Sequence, residues 1–178
     1  MKWKNRIAIL VTFTLACLSA HTSAQQTPRY RWSFSAEGDA PYPTAKIPQS
    51  VLRKLEEDEQ VQETIAEEGG FQKVHLRRWF QAVKVPLTST GECDLVVKGV
   101  GPILGANVTT FWVFRVKGGK ATMLLKVSAH DLDIAAVSQN GYLGIDAASS
   151  TASTVSITSF VMKNGSYRAV KESTSLTR

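Results

Sequence analysis

The chain predicts a single α+β domain, with an N-terminal strand and short helices packed on a mainly antiparallel β-meander. Three observations carry that expectation. The stretch Thr109 to Val127, TTFWVFRVKGGKATMLLKV, reads as two strands joined at Lys117-Gly118-Gly119-Lys120, because paired glycines supply the positive φ angles of a tight hairpin turn. Side chains alternate along a strand, so Phe111, Val113 and Arg115 face one way and Trp112, Phe114 and Val116 the other. Both faces are largely apolar, which puts this strand inside a sheet or under a helix. The second observation is a helical segment at 48–68, and the third a series of short apolar runs separated by turn residues across 71–170.

At the N-terminus, Lys2, Lys4 and Arg6 precede an uncharged apolar run from Ile7 to Ala20, and Thr22-Ser23-Ala24 offers small residues for cleavage before Gln25. This is the pattern of a secretory signal peptide over residues 1–24. The run is shorter than the roughly 20 apolar residues of a membrane-spanning helix. Cys17 follows Thr14-Leu15-Ala16, a poor match to a lipoprotein box. The expectation is an exported protein, periplasmic or secreted, whose mature part is the single domain 25–178. No later stretch is long and apolar enough to span a membrane.

Removing the leader leaves 18 Lys and Arg against 15 Asp and Glu, a net charge too small to argue for nucleic acid. The charge is unevenly placed. Residues 25–70 carry five basic and nine acidic side chains, and 71–178 carry 13 basic and six acidic. An acidic helical segment packed on or near a basic sheet accounts for this, and so does a basic face for an anionic envelope polymer. Cys93 is the one cysteine beyond the leader, so an intramolecular disulfide is not expected. Cys93 reads as a small buried hydrophobe or as a thiol for intermolecular pairing, and flanking Glu92 and Asp94 argue against a lowered thiol pKa.

Within 25–47, Arg29 to Ser35 alternates, putting Tyr30, Trp32 and Phe34 on one face; these rings suit a core, or a carbohydrate-stacking surface. Glu37 to Ala45 is a linker with Gly38, Pro41 and Pro43. Pro48 fits the first turn of a helix to about Glu57, with Val51, Leu52 and Leu55 as its apolar stripe. Asp58 is placed to cap a second helix through Val61 and Ile65, ending at Gly69-Gly70. The seven acids from Glu56 to Glu68 lack calcium-loop spacing, so no metal is assigned there.

From Phe71 the pattern is β, through Val74, Leu76, Phe80, Ala82, Val83 and Val85, and again from Leu95 to Val100. Between these runs lies Pro86-Leu87-Thr88-Ser89-Thr90-Gly91-Glu92-Cys93-Asp94. Over Trp79 to Gly101 the chain resembles the FG-GAP repeat of integrin-like propellers and bacterial exported proteins, in which an acidic loop between strands binds calcium. Matched by position, the family's acidic and amide ligands fall on Pro86, Thr88 and Thr90, while Gly91 and Asp94 are kept. The resemblance implies a retained turn with its metal lost, since calcium takes six to eight oxygen ligands. One such motif does not make a propeller.

Gly99 to Asn107 reads as a plain Gly-rich turn, Ser128 to Asp133 as a connection, and Tyr142 to Ile145 as a short strand. Ser149 to Val170 reads as a hairpin about Asn164-Gly165, followed by a frayed tail from Lys171 to Arg178. Asn107-Val108-Thr109 and Asn164-Gly165-Ser166 are glycosylation acceptors in a eukaryotic host only.

The chemistry-bearing letters are few. His130, Asp131 and Asp133, with His75 from elsewhere, would suit a metal-dependent enzyme or an acid–base hydrolase, and the same letters make a polar turn. Arg77, Arg78 and Trp79 form a basic and aromatic cluster suited to contacting a partner. The function expected from the sequence is a non-enzymatic accessory or binding role, with no cofactor and no metal. An envelope protein or anionic polymer is the expected partner. A calcium-stabilised structural module is the third reading.

Overall fold

The structure, a computed structural model, describes residues 30–71, 75–88, 90, 93–139 and 141–176; the expected signal segment lies outside them. Its centre is β4 (Thr109–Lys117), in which Thr109 to Phe114 are all buried. With β2 (Phe80–Pro86), β3 (Cys93–Gly99) and β5 (Lys120–Ala129) it forms a four-stranded antiparallel sheet in the order β2-β3-β4-β5. The Gly118-Gly119 turn closes as expected, Lys117 pairing with Lys120 and both glycines at positive φ.

The expected single meander is in fact two sheets. The second holds β1 (Tyr30–Ser35), β6 (Asp131–Gln139), β7 (Tyr142–Ser150), β8 (Thr154–Lys163) and β9 (Ser166–Leu176), in the order β1-β6-β7-β8-β9. Alternation along β4 explains the layering. Phe111 and Val113 join Val83, Val85, Val96, Leu132, Ile134 and Ile145 in a core between the sheets. Trp112 and Phe114 join Leu95 and Val97 in a second core beneath α1 (Gln49–Glu56) and α2 (Glu59–Glu67). The apolar stripes Val51, Leu52, Leu55 and Val61, Ile65 are buried there as the sequence predicts. A bulge at Leu124 breaks the β4–β5 register between Val113 and Phe114, and Leu124 and Leu125 are both buried.

Several expectations are corrected. Ser128 to Asp133 is no connection: β5 runs to Ala129, His130 alone makes the bend into the second sheet, and β6 begins at Asp131. The turn-like letters Asp131 and Asp133 alternate with Leu132 and Ile134, both fully buried, which is a strand with one wet face. Leu76–Trp79 is a short 3-10 helix rather than strand. The tail from Lys171 continues β9 to Leu176, held by its ladder to β8. Cys93 is exposed at the start of β3. On β1 the register slips between Tyr30 and Trp32. Trp32 and Phe34 therefore turn inward beside Ile134 and Leu132, while Tyr30 pairs with Ala135 on the outer face and donates its hydroxyl to Asp146 at 2.7 Å.

Asp58 stands at the N-terminus of α2 as expected, but its side chain makes no cap bond. It accepts instead from Trp112 Nε1 at 3.1 Å and pairs with Lys126 Nζ at 2.8 Å. With Thr110 Oγ1 donating to Gln60 Oε1 at 2.7 Å, this latches α2 onto the sheet. Asp58 is 6 % exposed at its side chain, so its loss strands a buried indole N–H. Asp58→Ala is expected to cost about 2–3 kcal/mol, read as a fall of about 4–12 °C in melting temperature. Asp58→Asn keeps an acceptor for the indole and should lose less; equal losses would assign the effect to the Lys126 charge.

Candidate functional site

The candidate site is a groove of about 420 Å³ between the inner edge of β1 and β2, lined by Trp32, Tyr42, Pro43, Thr44, Ala45, Lys46, Val83 and Lys84. Its long wall is the stretch that reads as a linker in the sequence. That stretch is pinned along its length. Lys98, buried on β3, donates its amine to the carbonyls of Ser35 at 3.1 Å and Gly38. Burial lowers the Lys98 pKa and nearby Asp39 opposes this. Gln81 Nε2 donates to Asp39 Oδ1 at 2.6 Å, and Ala45 N–H to the Ala82 carbonyl at 2.7 Å, where Thr44 bridges to Val83. Tyr42 accepts the Ser33 N–H at 2.9 Å and packs its ring 5.3 Å from Phe34.

One rim of the groove is cationic. The Arg31 guanidinium lies 4.4 Å from the centre of the Trp32 ring, an attraction that leaves the guanidinium edge for other partners. Lys46 and Lys84 are exposed, and among the described residues neither is paired with a carboxylate. Half-buried aromatics with unpaired cations suit an anionic ligand carrying a flat or apolar face.

The structure separates the sequence candidates. The Trp79 indole is 7 % exposed and belongs to the helix-side core, so it presents no aromatic surface. Arg77 donates to the Ile47 carbonyl at 3.1 Å and to Gln49 Oε1 at 3.2 Å. It lines a shallow groove with Arg78, His75 and Leu52 on the helix layer. His130 lies instead at the bend between the sheets, its N–H donating to the Ala148 carbonyl and its carbonyl accepting from Ala36. The ring contacts Asp131 at 2.9 Å and Glu37 at 3.8 Å, whereas Asp133 accepts from the Ser33 hydroxyl. None of the grooves described here is lined by His130, Asp131 or Asp133, and among the described residues no group of three His, Cys, Asp or Glu side chains is arranged to hold a metal.

Asp94, the acid kept in the FG-GAP-like stretch, points between the sheets and is 1 % exposed. Arg115 grips both its oxygens at 2.9 Å and lies 5.4 Å from the Tyr142 ring. The hydrogen bond to Asp94 raises the Arg115 pKa against the opposing effect of burial. Tyr167, its pKa raised chiefly by burial, donates to the Leu143 carbonyl at 2.7 Å. The cluster joins β3 and β4 to β7 and β9 across the inter-sheet core.

The fold and groove together define a two-sheet antiparallel domain with a helical layer on one outer face. No family model matches this chain, and neither any curated protein nor any solved structure is similar to it. No described helix is long and apolar enough to cross a membrane.

Two outcomes follow from these pairs. Arg115→Ala leaves a buried carboxylate alone and should cost about 3–5 kcal/mol in urea unfolding, most of it recovered in Asp94→Leu/Arg115→Met; a double variant no better than the single would refute the ion-pair account. The His130 pKa is raised above 6.5, first by its hydrogen bond to Asp131. Its protonated form therefore favours the fold, a contribution fully present below pH 6.5 and lost as pH rises through the higher folded value. The melting temperature of wild type relative to His130→Gln should be highest on the acid side and converge above that value; a pH-independent difference would contradict this.

Proposed function

We propose that this chain is a non-enzymatic binding protein of the periplasm or extracellular space, and that the groove between β1 and β2 takes a segment of anionic polymer laid along Trp32 and Tyr42. One observation carries the reading: Trp32 and Tyr42 share a pinned groove with Lys46 and Lys84, while Arg31 covers the indole. The linker restraints hold this wall in place before a ligand arrives, which reduces the ordering cost of binding. Carboxylated polysaccharides fit the chemistry, offering apolar C–H groups to the aromatic wall and charge to the amines and the Arg31 guanidinium.

Isothermal titration with polygalacturonate, with dextran as the neutral counterpart, tests this. Binding is expected for the acidic polymer alone and should weaken with added salt. Trp32→Ala is expected to remove about 1–2 kcal/mol, or roughly 5–30-fold in affinity, and Lys46→Glu/Lys84→Glu more. Equal affinity for dextran, or indifference to the double charge reversal, would reject the reading.

A further inference from the structure

β9 closes one side of the five-stranded sheet: it pairs with β8, and no described strand pairs with its other side. Every residue from Arg168 to Leu176 is exposed, including Val170 at 56 % and Leu176 at 79 %. An open strand edge is a template for another strand. A bulge at Val170 breaks the edge in its first half, a device by which edges are ordinarily blunted. Beyond the bulge, Lys171 to Leu176 run in unbroken register with Ser159 to Thr154, so that half presents a regular row of main-chain groups.

We propose that β9 pairs antiparallel with β9 of a second copy of this chain, about a two-fold axis through Ser173. Facing side chains in a ladder share one face of the sheet, so such an axis passes through a residue rather than between two. An axis at Lys171 or at Glu172 sets that residue against its own counterpart, like charge on like charge. An axis at Thr174 sets Glu172 against Leu176. The axis at Ser173 opposes Lys171 to Ser175 and Glu172 to Thr174, in each case once in either direction, and brings Leu176 of each copy up to the bulge at Val170 of the other. Over Lys171 to Ser175 it opposes no like charges, and it brings together the two large apolar side chains that β9 exposes. The contact is small beside the roughly 800 Å² per partner of a standard interface, so the association is reversible and concentration-dependent.

The test uses the full chain with Cys17→Ser and Cys93→Ser, carrying either Ser173→Cys or Ser175→Cys and oxidised with diamide. At the axis, facing Cα atoms stand about 4.5–5.5 Å apart, within disulfide reach, whereas the two copies of residue 175 are about 14 Å apart. Ser173→Cys should become a disulfide-linked dimer at least about tenfold faster than Ser175→Cys, with folding of each checked by circular dichroism. Sedimentation equilibrium of the cysteine-free chain should fit a monomer–dimer scheme whose dissociation constant rises at least about tenfold in Val170→Lys/Leu176→Lys. Equal cross-linking at the two positions, or a monomer at every concentration up to about 1 mM, would overturn the proposal.

Discussion

Phe111, Trp112, Val113 and Phe114 are all fully buried on consecutive positions of one strand, and this constraint sets the architecture. Because consecutive side chains point to opposite faces, a sheet built on β4 needs an apolar cover on each side. The five-stranded sheet supplies one and the α1–α2 pair the other. Large aromatics at these positions bury on the order of 150–250 Å² each, so neither cover is dispensable. The polar contacts around them, Asp58 with Trp112 and Asp94 with Arg115, serve mainly to satisfy groups that this burial would otherwise strand.

The candidate groove is a product of the same arrangement. Where the chain crosses from β1 to α1 it passes over the edge of β2, and the amine of Lys98, the amide of Gln81 and the main chain of Ala82 hold it there. Trp32 and Tyr42 become the wall of a groove because their far sides pack on the inter-sheet core. Lys46 and Lys84 then line it from segments 38 residues apart in the chain. At the other extreme of the second sheet, no described segment straps β9, and its regular outer half is exposed among the described residues.

Much of this was legible from residues alone, and the failures have identifiable causes. Two-residue turns announced themselves at Gly118-Gly119 and Asn164-Gly165, where positive φ is required and found. The helical stripes were equally clear. β6 is hidden in the sequence because its aspartates resemble turn residues, although Leu132 and Ile134 keep the period of two. The extension of β9 carries no apolar alternation at all, since both its faces are wet; only its ladder to β8 makes it a strand. Trp79 looked like a surface aromatic beside Arg77 and Arg78, but a 3-10 turn rotates it into the helix-side core. Aromatic and unpaired basic side chains share a groove instead at Trp32, Tyr42, Lys46 and Lys84, a set that no local pattern joins.

The order of residues is enough to specify the local elements: the double-faced strand, its hairpin partner, the two amphipathic helices and the glycine turns. Each is fixed by interactions within a few residues, alternation, helical period or positive φ. Tertiary structure alone decided that the strands divide into two sheets at His130, that Tyr30 faces outward past a bulge, and that Asp58 latches a helix instead of capping it. It also decided which cations stand unpaired in a groove. Those outcomes depend on which distant surfaces meet, and burial against a distant partner leaves no mark on the spacing of nearby residues.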